Sequence, residues 1–331
     1  MLLYVYSLSR RSVFVYPFMF HTETFVVRSY SLMMLIAALT AILTTAWRAH
    51  GRKDVNANVL FLMLPTAILG GWIASGVAVT DGAALRMLWH NLSPFTRKGH
   101  TVTFFCMGAC LAMAPILIFQ GRAAFAYLDV LAPSFPLGFA FAKLGCFLAG
   151  CCAGALCAYP FAVTYPYGSE SYKTQWQAGL LDPPSALILD EADRPQRLLG
   201  HAQSLRLARS NPPEFAVAHA QKHGVTFDEL ALAASESRSL GVWPIQLIYI
   251  LAATVLWVAS EALFRKSAFP GATIAFVLAG YGLMRITFDF FVQEQGPLLL
   301  RLTVPQWSGV LALIMAVALG ITGWRLARIN L

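Results

Sequence analysis

LAPSFPLGFAFAKLGCFLAGCC, residues 131–152, is an apolar stretch about as long as a bilayer-spanning helix. Past its first residues it holds one ionised side chain, that of Lys143. A charge near the middle of a membrane helix costs on the order of 2.5–3.5 kcal/mol on insertion scales, so such residues usually face a protein interior, a wet cavity or a ligand. The alternative is a lysine that snorkels towards the lipid headgroups. The stretch therefore predicts a membrane helix and makes Lys143 a candidate site residue.

A second apolar stretch, GYGLMRITFDFF at Gly280–Phe291, carries two opposite charges. Arg285 and Asp289 are spaced i,i+4, which places both side chains on one face of a helix. The pair could simply neutralise each other, but inward charge in two separate spans favours a polar site inside a helix bundle. We expect further polar residues at or inside span ends to line the same cavity: Tyr30, Asp129 and Gln246.

The composition excludes an ordinary soluble domain. The chain has 331 residues, of which 58% are hydrophobic and 12% charged, and its mean hydropathy is +0.62. These values predict an all-α integral membrane protein, a bundle of about seven transmembrane helices with an inserted extracytoplasmic head. The predicted spans are Tyr30–Trp47, Asn58–Val79, Thr103–Phe119, Tyr127–Gly150, Trp243–Phe264, Gly271–Val292 and Val304–Trp324.

Short basic connections between the predicted spans indicate the orientation in the membrane. Because lysine and arginine concentrate in cytoplasmic loops, we expect these connections to face the cytoplasm. Alternation of the spans then places the N-terminus and the long segment Pro160–Val242 outside, and the C-terminus inside. The connections are Arg48–Lys53, Gln120–Arg122, Phe264–Lys266 and Trp324–Arg328.

A shift in composition between Tyr165 and Leu240 marks the head. The proline pairs Pro183–Pro184 and Pro212–Pro213 interrupt helices and bound short ones. TFDE at Thr226–Glu229 fits a capping box that starts a helix. A lid or arm over the membrane site is the favoured role of the head.

The predicted domains are residues 1–29, an extracytoplasmic interfacial segment; 30–159, the first four spans; 160–242, the head; and 243–331, the last three spans and a cytoplasmic tail.

The formal net charge of +8 favours contact with anionic lipid headgroups. No Lys/Arg stripe interleaved with aromatic residues is present, so we expect no nucleic-acid partner. The first 20 residues hold Arg10 and Arg11 in their middle and no small-residue cleavage site, so a removable signal peptide is not predicted.

The chain has six cysteines, whose spacing matches no zinc or haem signature, so we predict neither a metal site nor a cofactor. Close helix packing is their favoured role, with an outward-side disulfide or metal and redox chemistry as alternatives. They form two groups, Cys106 with Cys110, and Cys146 with Cys151, Cys152 and Cys157.

His100 lies between the basic pair Arg97 and Lys98 and the start of the third predicted span. A histidine at a membrane interface can take or give a proton near neutral pH. A structural or merely solvated histidine is the alternative at this position.

The order of motifs resembles that of the bacterial prolipoprotein diacylglyceryl transferase family, which are seven-helix enzymes of the inner membrane. The segment Asp129–Gly150 is similar to the family signature D-x-I-A-P-x-x-P-x-G-x-x-x-G-R-x-G-N-F-x-N-G. Gly280–Phe291 resembles G-Y-G-x-x-R-x-x-x-E-F-x-R, and WPIQL at Trp243–Leu247 resembles H-P-S-Q-L-Y-E. Weaker matches are RSYSLM at Arg28–Met33 with W-Y-G-L-M, and Gly70–Gly71 with G-G-R.

The resemblance implies transfer of a diacylglyceryl group from phosphatidylglycerol, or another anionic phospholipid, to the lipobox cysteine of prolipoprotein signal peptides, with release of glycerol phosphate. The implied location is the bacterial inner membrane. This reaction requires a thiolate nucleophile and cations that stabilise the phosphate leaving group.

By position in the motifs, Lys143 and Arg285 are expected on the lipid phosphate, with Asp289 orienting Arg285. Tyr30 and Gln246 match family residues expected to form hydrogen bonds with the ester or glycerol portion of the lipid.

Two further candidates also come from the resemblance. Asp129 matches the acid that enters the fourth span, and it is expected to contribute to substrate binding. Laying G-x-S-F-H-G-G without a gap on Gly99–Phe105 makes Gly99 a substrate-binding candidate and places the family histidine on Thr103. His100, one helical turn earlier, is the candidate catalytic base if the helix is rotated or shifted.

Four positions depart from the family pattern. Lysine replaces the signature arginine at Lys143, which keeps the charge but loses the planar fork that binds phosphate through two hydrogen bonds. The other departures are Cys146 for asparagine, Trp72 for arginine and Val292 for arginine. The alternative is therefore a catalytically silent or altered-specificity lipid-binding paralogue, followed by a thiol-redox protein that uses the Cys146–Cys157 group.

Overall fold

The computed structural model describes residues 18–21, 26–77, 102–189, 196–266, 269–292 and 301–329. They divide into two compact units. The head unit comprises the described residues of 1–30, 143–248 and 291–294, and the bundle unit those of 31–142, 249–290 and 295–331.

Helices dominate the described residues, which confirms the predicted helical class. The first five helices are α1 Ser29–Ala49, α2 Ala57–Val77, α3 Val102–Gln120, α4 Ala124–Leu131 and α5 Ser134–Ala149. Four short helices of the head follow, α6 Glu170–Gln177, α7 Ala202–Leu207, α8 Glu214–Lys222 and α9 Phe227–Glu236. The last three are α10 Ile245–Lys266, α11 Ala272–Phe288 and α12 Val304–Ile329.

Within the described residues, five helical stretches are long and apolar enough to cross a membrane. Two shorter apolar helices, Ala57–Gly71 and Ser134–Ala149, join them. The chain is therefore a multi-pass membrane protein, as its composition predicts. The five long stretches are Ser29–Ala49, Gly108–Leu131, Ile245–Lys266, Ala272–Phe291 and Val304–Ile329.

The segment predicted as one span, Tyr127–Gly150, is broken into two helices. α4 ends at Leu131 and α5 begins at Ser134, with a turn between them. Pro133 lies in this turn and has no backbone N–H, so the ladder of helical hydrogen bonds cannot pass through it unbroken. The helix that precedes the break instead belongs to the apolar stretch Gly108–Leu131.

Basic connections of the bundle unit share one end of that unit. The guanidinium of Arg52, just after α1, lies 5.2 Å from the ring centroid of Phe264 near the end of α10. Near the end of α12, a Cβ on Gly323 would lie only 1.8 Å from the carbonyl oxygen of Pro270. Since Pro270 follows α10 closely, the ends of α1, α10 and α12 lie together.

The head has a small hydrophobic core of its own. The core residues are Tyr167, Tyr172, Leu187, Leu199, Ala202, Leu205, Ala216, Ala220, Phe227, Leu230, Ala231 and Ala234.

The predicted capping box of the head is confirmed. The Thr226 hydroxyl accepts a hydrogen bond from the Glu229 amide at 3.2 Å, and the Glu229 carboxylate accepts one from the Thr226 amide at 2.8 Å.

Two short antiparallel sheets add to the all-α prediction. β1 (Phe18–His21) pairs with β2 (Val26–Arg28) immediately before α1, and β3 (Ile188–Leu189) pairs with β4 (Arg197–Leu198) in the head. The segments are rich in aromatic and branched residues, which favour extended backbone. These strands are too short to give an alternating pattern that sequence inspection can recognise.

Candidate functional site

Six of the predicted site residues lie in the described part of the chain. Tyr30, Lys143 and Gln246 belong to the head unit, whereas Asp129, Arg285 and Asp289 belong to the bundle unit. His100 and Gly99 lie outside the described residues, so the predicted base and its neighbour stay predictions. The predicted joint cavity of Lys143, Arg285 and Tyr30 also stays a prediction.

Lys143 faces protein. Packing on α5 leaves only 8% of the residue exposed, which is the interior placement that the cost of a membrane charge favours. The side chain is within electrostatic range of the Cys146 thiol, almost one helical turn further along α5. Tyr30 is within electrostatic range of the same thiol. The structure thus brings Tyr30 and Lys143 to a common group of thiols in the head unit.

Gln246 lies in the first turn of α10 and is fully buried. Its Nε2 donates a hydrogen bond to the Cys151 carbonyl at 2.8 Å, whereas its Oε1 has no hydrogen-bond partner among the described residues. A buried acceptor without a partner costs free energy, so it is a natural position for a donor on a ligand. Gln246 is therefore anchored by its Nε2, and its side chain also interacts with the buried Tyr165 phenol.

Tyr165 is a neighbouring polar residue that sequence reasoning missed. Two hydrogen bonds of 2.8 Å fix its backbone against Ser239. The Tyr165 amide donates to the Ser239 hydroxyl, and the Ser239 amide donates to the Tyr165 carbonyl. The phenol is fully buried, interacts with the Gln246 side chain, and has no hydrogen-bond partner of normal geometry among the described residues. Burial raises the pKa of Tyr165, so the phenol stays neutral and can donate a hydrogen bond at neutral pH.

Arg285 lies near the end of α11, and only 8% of it is exposed. Its Nη1 donates one long hydrogen bond, of 3.4 Å, to the phenol oxygen of Tyr249. Its Nε is buried and has no partner within the described residues. Tyr249 packs edge-on against Phe139 and Phe288, and Phe139 packs against Tyr281, so aromatic rings fix the surroundings of the cation.

Asp289 immediately follows α11 and is also buried. One carboxylate oxygen accepts a short hydrogen bond from the Thr303 hydroxyl, and the other has no partner among the described residues. The carboxylate is within electrostatic range of Arg285. Its direct partner is thus Thr303, and the predicted orientation of Arg285 by Asp289 stays a prediction.

Asp129 caps a helix. Its two carboxylate oxygens accept hydrogen bonds from the backbone amides of Gly271 at 2.7 Å and Ile274 at 3.0 Å, at the N-terminus of α11. A carboxylate there satisfies otherwise unpaired amides and complements the helix dipole. This contact explains a buried acid at position 129 structurally, and its predicted part in substrate binding is not tested.

Arg48 forms a buried network that the sequence does not reveal. In the sequence it opens a basic connection, but the structure leaves only 5% of it exposed. Its Nε donates to the Val130 carbonyl at 3.0 Å, its Nη1 to Glu261 at 2.8 Å, and its Nη2 to the Ser134 hydroxyl. These partners come from three other parts of the chain, so no local motif could have predicted them.

Three cysteine thiols lie close together in the head unit. The sulfur atoms of Cys146, Cys151 and Cys152 are all within 4.8 Å of one another. Lys143 and Tyr30 are their electrostatic neighbours. Sequence spacing alone does not bring these residues together, because the helix ends between Cys146 and Cys151.

The fold defines a helical multi-pass membrane protein with buried cations. Several buried polar atoms have no hydrogen-bond partner among the described residues. Comparison with protein families identifies the family within this class of membrane proteins. The model of the Prolipoprotein diacylglyceryl transferase family matches residues 17–322, and the chain belongs to that family of membrane transferases. The resemblance noted in the sequence motifs is confirmed.

Individual relatives carry the same family name. A protein of Rhodopirellula baltica, named phosphatidylglycerol–prolipoprotein diacylglyceryl transferase, is 24% identical over 90% of this chain and 73% of its own length. Two proteins of that name from strains of Dehalococcoides mccartyi are 26% and 27% identical over 48% of this chain and 64% of theirs. Identities of 24–27% do not by themselves assign roles to individual residues, so each proposed role rests on the residues and contacts of this chain.

Proposed function

We propose that the protein transfers a diacylglyceryl group from phosphatidylglycerol to the lipobox cysteine of prolipoproteins. In this reaction the cysteine sulfur forms a bond to the terminal glycerol carbon of the diacylglyceryl group. The bond from that carbon to the phosphate oxygen breaks, and glycerol phosphate leaves with the electron pair. The thiol proton passes to a base, for which His100 is the candidate from sequence.

The state of Arg285 is the observation that carries the proposal. A buried guanidinium is costly unless its donors are paired, by several kcal/mol in order of magnitude. Arg285 has one long hydrogen bond and a buried Nε without a partner in the described part of the chain. A lipid phosphate would supply the missing acceptors and the opposite charge, and the fork of an arginine fits its oxygens. In this proposal Asp289 positions Arg285.

Lys143 is proposed as the cation that stabilises the departing glycerol phosphate. Its interior placement supports a role with a ligand, since lipid does not surround it. An ammonium provides charge without a planar fork, so it suits charge stabilisation better than oriented phosphate binding. The departure from the family arginine at this position is therefore compatible with activity.

Two buried polar atoms of the head unit that have no hydrogen-bond partner among the described residues are proposed to bind uncharged parts of the lipid. The Gln246 Oε1 can accept a hydrogen bond from a glycerol hydroxyl, and the neutral phenol of Tyr165 can donate one to an ester carbonyl. Tyr30 is proposed to share this role. Gly99 and Asp129 remain proposed substrate contacts from sequence alone.

The proposed location is the bacterial inner membrane, with the N-terminus and head outside and the C-terminus in the cytoplasm. The basic ends of α1, α10 and α12 support this orientation, because they lie at one end of the bundle unit. Prolipoprotein signal peptides would then meet the enzyme from within the membrane.

The test is transfer by the purified protein in phosphatidylglycerol nanodiscs, measured as the mass gained by a lipobox peptide. We expect transfer by the wild type and a loss on the order of 10²–10³-fold in Arg285→Ala, the usual effect of removing a group that stabilises transition-state charge. Lys143→Ala should also lose transfer, and Lys143→Arg should retain it.

The matched control is Arg52→Ala, which removes a partly exposed arginine paired with Asp54 and should leave transfer unchanged. Complementation of a strain depleted of its own transferase gives a second readout. A well-expressed wild type that binds phosphatidylglycerol but neither transfers nor complements would overturn the proposal in favour of the silent lipid-binding paralogue. Full activity of Arg285→Ala would remove Arg285 from the mechanism.

A further inference from the structure

The cysteine cluster has close to the geometry of a metal site. In tetrahedral thiolate coordination, metal–sulfur bonds of about 2.3 Å place neighbouring sulfurs about 3.8 Å apart. The three sulfurs of Cys146, Cys151 and Cys152 already lie within 4.8 Å of one another. A contraction of about 1 Å, within the reach of small side-chain rotations, would bring them to coordination distance.

The backbone holds two of these thiols in place through the end of α5. Gly150 has a φ of +69°, in the left-handed region, and its amide donates to the Phe147 carbonyl at 3.2 Å. The Cys151 amide donates to the Cys146 carbonyl at 3.0 Å. These bonds form a Schellman motif, in which the residue after the left-handed glycine packs against the residue five positions earlier. Cys146 and Cys151 occupy those two positions.

The turn is also fixed from outside. Gln246 donates to the Cys151 carbonyl at 2.8 Å, and the Ser171 amide donates to the Gly150 carbonyl at 3.2 Å. Cys152 itself has a φ of +55°, which is strained for a residue with a Cβ and so needs support from its surroundings. A cluster held from several sides loses little further entropy when it binds an ion.

Charge selects the class of ion. Thiolates favour soft or borderline ions such as Cu(I) and Zn(II) over Mg(II) or Ca(II). Three thiolates with a divalent ion carry one net negative charge, which the nearby Lys143 ammonium offsets. With a monovalent ion the three thiolates would carry a net charge of two negative units, of which the single Lys143 ammonium offsets only one. The balance therefore favours a divalent thiophilic ion, of which Zn(II) is the common case.

We propose that Cys146, Cys151 and Cys152 bind a zinc-class divalent ion through their three sulfurs. Within the described residues, no His, Asp or Glu joins the group, so the fourth position of the tetrahedron is left to a water molecule or an added thiol. Binding converts the thiols to thiolates and releases their protons. This inference does not require lipid transfer, although it shares Lys143 with the proposed lipid site.

The test measures binding of Zn(II) to the reduced, full-length protein in detergent by competition with a chromophoric chelator. We expect about one tight equivalent per chain in the wild type. The variant Cys146→Ser/Cys151→Ser/Cys152→Ser should bind at least 100-fold more weakly. Cys110→Ser/Cys157→Ser is the matched control, since it removes free cysteines outside the cluster, and it should bind as the wild type does.

Two further readouts keep the outcome clear if a serine variant fails to fold. In the wild type, Zn(II) should protect the cluster cysteines from alkylation and leave Cys110 reactive, as peptide mass mapping would show. Arg285→Ala should bind Zn(II) normally even when lipid transfer is lost. Equal Zn(II) binding by the two serine variants would overturn the inference, as would a native disulfide between two of the three cluster cysteines.

Discussion

Two buried arginines of the bundle unit, Arg48 and Arg285, differ in how completely their guanidinium groups are satisfied. Arg48 donates to the Val130 carbonyl and to Glu261, at 3.0 and 2.8 Å, as well as to hydroxyl groups. Arg285 has one hydrogen bond of 3.4 Å, to Tyr249, and a buried Nε without a partner among the described residues. Both are almost equally buried, at 5% and 8% exposure. The two arginines thus differ in the pairing of their donors and hardly in burial, and this difference favours Arg285 as the proposed phosphate-binding residue.

Removing Arg48 should have the largest effect on stability. Arg48→Ala leaves the largely buried Glu261 side chain, 14% exposed, without its cation, and breaking a buried pair costs up to about 3–5 kcal/mol. Unfolding of the purified protein by SDS titration measures the loss. Arg285→Ala should lower the free energy of unfolding much less, because it removes few bonds. The comparison breaks down if Arg285→Ala destabilises the protein as strongly as Arg48→Ala.

A double variant sharpens this prediction. Replacing Arg48 and Glu261 together by methionine removes both charges and keeps apolar volume, so it should recover most of the stability lost in Arg48→Ala. No recovery would mean that the hydrogen bonds to Ser134 and Val130, rather than the ion pair, hold this region together.

The two buried aspartates extend the comparison to anions, with a smaller expected effect. Asp129→Ala removes both acceptors from the amides of α11 and should destabilise by about 1–2 kcal/mol, as loss of a helix cap does. Asp289→Ala removes one bond to Thr303 and should destabilise less. SDS titration again gives the measurement. A reversed order of the two variants would contradict the assignment of Asp129 as a cap.

The smallest effect is expected for Tyr249, the one hydrogen-bond partner of Arg285 among the described residues. Tyr249→Phe removes the hydroxyl group that accepts the 3.4 Å hydrogen bond and keeps the ring that packs on Phe139 and Phe288. A bond this long contributes little, so the free energy of unfolding should change by less than about 1 kcal/mol. The transfer rate should fall no more than about threefold, equivalent to well under 1 kcal/mol. A loss as deep as that of Arg285→Ala would make Tyr249 part of the binding site.

Local patterns predicted the fold well where a single segment decides the structure. Apolar runs predicted the membrane helices because length and hydrophobicity are properties of one segment. The capping box at Thr226–Glu229 was predicted because its bonds span only three residues. The break at Pro133 was missed because apolar residues continue on both sides of it, and the β1–β2 hairpin because its strands are very short.

The candidate site was predictable in part. Lys143, Arg285 and Gln246 could be proposed as site residues because charged or amide side chains are conspicuous in apolar helices. Their partners were not, since Tyr165 and Tyr249 look like ordinary aromatic residues until the fold shows their polar atoms. Likewise, Arg48 looked like a loop cation until packing placed it beside Glu261.

The sequence by itself determined that this is a multi-pass helical membrane protein, and the order of its motifs determined its family. Both properties depend on the composition and spacing of residues within continuous segments, so they can be recognised without the fold. The folded arrangement was needed to show which buried arginine has paired donors, which one keeps an unpaired donor among the described residues, and which thiols lie together. Hydrogen-bond partners and sulfur clusters come from residues distant in sequence or joined across a turn, so their pairing exists only once the chain has folded.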